Sequence, residues 1–227
     1  MSKFERCLSQ IDELIAERHL LKHPFYQTWT AGELTKDALA GYAGQYYKHV
    51  ESFPLYLAGI YTHCKRVEDR RLVLRNLIEE DHGDENHPEL WLRFAEGLGL
   101  TREQTRAAAA LAETVQAVEA FRALCLDGTA CEGMAAIYAY EAMTPEVSET
   151  KIDGLERFYD IKDERTLQFF RVHESADREH REWDRALLES FIESDADAEA
   201  AVAAAKRGLD ALWTLLDGVQ RAYVNCA

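Results

Sequence analysis

Apolar residues recur at three- and four-residue spacing through long segments of this sequence, and alternating strand-like runs are scarce. That period marks one face of an α-helix, so such a chain must bury helix against helix. Only 4 prolines and 12 glycines punctuate the 227 residues. The pattern predicts helices over about 3–22, 35–50, from Pro54 to about 65, and from 68 to at least 81, with helix resuming after Gly83 and Pro88 to Glu96. TREQ at 101–104 is a capping-box pattern that opens a helix to about 126. Further helices are expected over 131–143, 146–159, 163–192 and the alanine-rich 196–223. Without a long linker, low-complexity tract or repeat, the expectation is a single all-α domain over 1–227.

Charge and cysteine usage narrow the partners. A formal net charge of −15 repels phosphates and anionic lipid, so neither nucleic acid nor membrane is expected. No apolar run reaches the length of a membrane span, and MSKFERCLSQIDELIAERH reads as an amphipathic helix rather than a signal peptide. Five cysteines without a CxxC motif are consistent with free thiols in a reducing cytoplasm.

Polar residues on inward stripes carry the chemistry. In FFRVHESADREHREW, His173, Asp177 and His180 follow at spacings of four and three. At roughly 100° per residue, Asp177 lies about 40° to one side of His173 and His180 about 20° to the other. A charged surface face would also explain that helix; matching donors elsewhere favour a metal stripe. NLIEEDHGDENHPELW offers Glu80 and His87, and AAIYAYEAMTPE places Glu141 in an otherwise apolar, aromatic helix, where an unpartnered charge is costly. Glu79 could replace Glu80, and His82, Asp84 and Glu85 crowd the same segment. The set Glu80, His87, Glu141, His173, Asp177 and His180 suits two iron or manganese ions in a helix bundle. Gly83 and Pro88 predict an irregular Glu80–His87 segment and a weakly held metal position.

With these residues, GDENHPELW, YEAMTPEVSETK and the HxxxDxxH helix, the chain resembles the CADD-type branch (chlamydial protein associating with death domains) of the haem-oxygenase-like di-metal oxidases, close to the TenA and PqqC proteins. The resemblance implies a seven-helix, haem-oxygenase-like bundle and an oxidase using dioxygen and an electron donor. It implies two metal ions, Fe/Fe or Fe/Mn, and para-aminobenzoate made for folate from the protein's own residues. Tyr26 in HPFYQTW would be the sacrificed tyrosine and Lys151 in SETKIDG the nitrogen source, with Tyr42 and Tyr140 as aromatic site residues. Phe169 stands where the family has a further tyrosine. Three other readings compete. A PqqC-like metal-free oxidase fits a carboxylate-rich set poorly. A TenA-like thiaminase would need Cys131 as nucleophile. An interaction protein leaves the inward ligands unexplained. The final helix could pack at a homodimer interface or on the bundle itself.

Overall fold

The computed structural model describes residues 2–225; the side chains of 175–181 lie outside the described residues. Eleven α-helices are described, and no strand occurs among the described residues. They are α1 (Lys3–Glu17), α2 (Pro24–Ala31), α3 (Lys36–His63), α4 (Val67–Asp81), α5 (His87–Gly97), α6 (Arg102–Ala107), α7 (Ala112–Arg122), α8 (Ala130–Glu141), α9 (Thr144–Phe158), α10 (Glu164–Phe191) and α11 (Asp195–Val219). The haem-oxygenase-like bundle is thus built from more, shorter pieces than the seven helices expected.

Helix α8 forms the centre. It is buried from Cys131 to Glu141 except at Glu132, and α11 packs along it. Alanines make this approach close: Ala135, Ala136 and Ala139 face inward, and a Cβ on Gly208 of α11 would lie 3.2 Å from that of Ala136. The alanine-rich helix therefore buries its apolar face on the bundle, through Ala201, Ala204, Ala205 and Leu212. Around this pair, α3 packs on α4, α5 and α7, and α10 on α5, α8 and α9.

Several breaks differ from the periodicity. Helix α3 runs for 28 residues straight through Pro54 instead of stopping before it. A proline there forfeits one backbone hydrogen bond, and burial of Phe53, Pro54, Tyr56 and Leu57 outweighs that loss. Helix α2 was not expected. His23 caps it through Nδ1, which accepts from Phe25 N–H at 3.1 Å, and Pro24 at its first position has no N–H to satisfy. The capping box at Thr101 and Gln104 is present, but α6 ends at Ala107. The alanine run that follows is a strong helix former, yet Gln45 of α3 takes its backbone instead. Gln45 Nε2 donates to Ala109 O, and Oε1 accepts from Leu111 N–H, each at 2.9 Å. A buried side chain thus supplies the bonds that helix would have made.

Pro88 is also reassigned. It sits in the first turn of α5 behind the Asn86 cap, whose side chain accepts from Glu89 N–H at 3.0 Å. Glu80 lies in the last turn of α4 and His87 begins α5, so the interruption expected at Gly83 is a turn over 82–86, closed by the Asn86 cap.

Candidate metal centre

Five helices, α3, α4, α5, α8 and α10, bring Glu80, His87, Glu141 and His173 together with His49 and Tyr140 around one small cavity of ≈ 20 Å³. The donor atoms of Glu80, His87 and His173 lie within 4.8 Å of one another. Glu80 is the inward carboxylate, whereas Glu79, His82, Asp84 and Glu85 are exposed. Glu141 lines the same cavity at the end of α8, outside that tight trio. Asp177 and His180 lie among the residues whose side chains are outside the described set.

The local bonding leaves donors directed at the cavity. Glu80 Oε2 comes within 2.6 Å of His87 Nδ1, yet Nδ1 has no aligned hydrogen-bond partner. Burial pulls the His87 pKa down, but Glu80, with Glu141 and Glu79, outweighs it and sets it above the usual histidine value. His173 Nδ1 lies 2.6 Å from Phe169 O; a ring that donates there ligates through Nε2, a common arrangement for metal-binding histidines. Asn76 Nδ2 donates to Glu141 Oε1 at 3.2 Å, while Glu141 Oε2 has no partner. Two buried carboxylates, two imidazoles and the unpartnered Glu141 Oε2 fit a hard or borderline cation, and fit an empty apolar pocket badly.

Beside the cavity lies an aromatic chamber. Tyr26 and Tyr42 share a hydroxyl–hydroxyl bond of 3.2 Å, and Tyr46 OH donates to Tyr140 OH at 3.0 Å. Burial raises the pKa of all four phenols, holding them neutral. The buried Lys151 Nζ sits between 5.0 and 5.6 Å from the ring centres of Tyr26, Tyr42, Tyr46, Trp91 and Phe170. Burial alone pushes its pKa down to about 7, so about half of the amine is neutral at that pH. The structure thus brings Tyr26, Tyr42, Tyr140 and Lys151 together.

Four neighbours escaped the sequence reading: His49, Tyr46, Trp91 and Asn76. Asn76 precedes Glu80 by one helical turn, and Tyr42, Tyr46, His49 and Phe53 form one stripe of α3. That spacing was a usable signal. Cys131, by contrast, is buried with its thiol pKa pushed up to about 12, which removes its value as a nucleophile at neutral pH.

Residues 40–213 match the sequence profile of the family described as "Iron-containing redox enzyme", and the chain belongs to that family of oxidoreductases. Among its relatives, the 4-aminobenzoate synthase of Nitrosomonas europaea is 41% identical, over 94% of this chain and 91% of that protein. The 4-aminobenzoate synthase of Chlamydia trachomatis is 37% identical, over 87% of this chain and 85% of its own. The bundle also superposes on a TenA homologue from Pseudomonas syringae with a TM-score of 0.82 at 17% identity, covering 96% of this chain and 92% of that one. No helix among the described residues is long and apolar enough to cross a membrane.

Proposed function

We propose that this protein is a 4-aminobenzoate synthase: a dioxygen-dependent, di-metal oxidase that builds the product from its own Tyr26 and Lys151. The observation that carries the reading is the placement of Lys151 Nζ 5.6 Å from the Tyr26 ring centre, in a water-poor chamber next to the acid–imidazole cavity. The relatives named 4-aminobenzoate synthase support the product.

Glu80, His87, Glu141 and His173 would hold the metal, with Asp177 and His180 completing a six-residue set for Fe/Fe or Fe/Mn. Bound there, the metal pair would supply the reduction of dioxygen, fed by an external electron donor. The chain's own groups do the rest. Lys151 offers an unprotonated amine at neutral pH because desolvation disfavours its cation. Tyr26 remains a neutral phenol, so its oxidation must release a proton; Tyr42 OH, 3.2 Å away, can accept the hydrogen bond from it, and the neutral amine of Lys151 is the base in the chamber that can keep the proton. Phe169 brings no phenol to the metal side. Its ring packs on His173 at 4.4 Å, while Tyr140 borders the cavity and bonds to Tyr46, which packs on Tyr42 at 5.2 Å. A run of phenols from the cavity to Tyr26 therefore exists without residue 169.

A PqqC-like metal-free oxidase is disfavoured by Glu80 and Glu141, which would repel a polycarboxylate substrate. The test is isotopic. Ring-labelled tyrosine, incorporated during expression, should emerge as labelled 4-aminobenzoate from iron-loaded protein given dioxygen and reductant. Tyr26→Phe should abolish the label in product. Undiminished labelled product from that variant would remove Tyr26 from its role.

A further inference from the structure

One buried polar side chain at the cavity is not used by this reading. His49 is 1% exposed, and neither ring nitrogen has a hydrogen-bond partner among the described residues. Aromatic rings enclose it: Phe121 at 5.0 Å, Tyr140 at 5.1 Å, Tyr46 at 5.6 Å, Tyr56 at 5.7 Å and Phe53 at 6.0 Å. A phenylalanine would fill that nest without desolvating two polar atoms. His49 also stands outside the donor trio of Glu80, His87 and His173. It does line their cavity, whose ≈ 20 Å³ has room for a water or a similarly small molecule. A neutral imidazole carries one N–H donor and one acceptor, so either tautomer can offer a donor to such a molecule.

We propose that His49 is the hydrogen-bonding wall of a small-ligand subsite, holding one small electronegative molecule in the cavity it shares with Glu80, His87 and His173. The ligand's class rests on the redox function proposed above; the subsite stands on the cavity and the two unpartnered nitrogens. In the metal-free protein the occupant is water. With metal held by Glu80, His87 and His173, the imidazole N–H would donate to a small ligand admitted to the same cavity. His49 orients that ligand and leaves metal uptake alone.

The probe is azide, titrated optically into iron-loaded wild type, His49→Phe and His49→Asn at pH 7, with iron per chain measured in each. Iron content should be equal in all three. Azide should bind roughly tenfold more weakly to the Phe variant, the size of one lost hydrogen bond, and the Asn variant should recover most of the affinity because it keeps a donor. Equal affinity in wild type and His49→Phe, or no azide binding to iron-loaded wild type, overturns the proposal. A purely packing role would change thermal stability and leave azide affinity unmoved. A second arm needs no metal: in nitrogen-15 histidine-labelled apoprotein, the His49 ring should show magnetisation transfer from a bound water, and its absence overturns the subsite. If the chain takes up no iron, the metal reading fails and this second arm alone decides the role of His49.

Discussion

Replacing Lys151 by methionine should stabilise the protein, and by an amount that depends on pH. The straight apolar chain keeps most of the lysine's volume while removing an amine buried among aromatic rings. The pKa of Lys151 lies at about 7 in the fold against 10.5 for the free side chain. Between those values the unfolded chain binds the extra proton, so wild-type stability rises with pH across the window. Below pH 7 the full desolvation cost is present, and above 10.5 it vanishes. At about 1.4 kcal/mol per pH unit, Lys151→Met should be more stable than wild type by up to about 5 kcal/mol at pH 6 and about 2 kcal/mol at pH 9. Urea unfolding of both metal-free proteins at the two pH values, followed by circular dichroism, measures the difference. Other ionisable groups affect both chains alike and cancel in the comparison. An advantage that does not shrink from pH 6 to pH 9, or a destabilised variant, would show that the amine is not desolvated and so not available as a neutral nucleophile.

His87→Ala and His173→Ala should each lower iron bound per chain, measured by metal analysis after anaerobic loading, while far-ultraviolet circular dichroism stays that of a helical bundle. Gly154→Ala should destabilise by about 1–3 kcal/mol in urea, because its Cβ would enter the indole of the fully buried Trp29. His23→Leu should cost about 1–3 kcal/mol, since it removes the acceptor for Phe25 N–H and the Nε2 contact to Asp217 at 3.1 Å. Burial lowers the His23 pKa below 6.5, partly offset by Asp217, so wild-type stability falls as pH drops below that value; the Leu variant should lose less over the same range.

How much of this was legible depends on the range of the interactions involved. The all-α class and the inward acids and imidazoles were readable because period and residue type are local properties. Glu80 could not be separated from Glu79 by type, and only the burial of one face of α4 decides between them. The alanines after α6 show the opposite case. Their propensity is helical, but Gln45, more than sixty residues earlier, satisfies their backbone in another conformation. Pro54 and Pro88 were misread for a related reason. Proline's effect depends on where in a helix it falls and what packs around it, and single-residue rules contain neither. The shared chamber of Tyr26 and Lys151 joins α2 to α9, a juxtaposition that no periodicity contains; the family likeness named those two residues without placing them.

The four described donors come from α4, α5, α8 and α10. An ion gripping Glu80 and His173 would act as a removable cross-link, closing a loop of roughly ninety residues whose closure entropy the folded chain otherwise bears unaided. Any cation that binds the native state alone must also deepen that state by mass action. Loading would therefore slow proteolysis of the whole bundle as well as equip it for chemistry, so metal supply would set how long each copy of the protein survives.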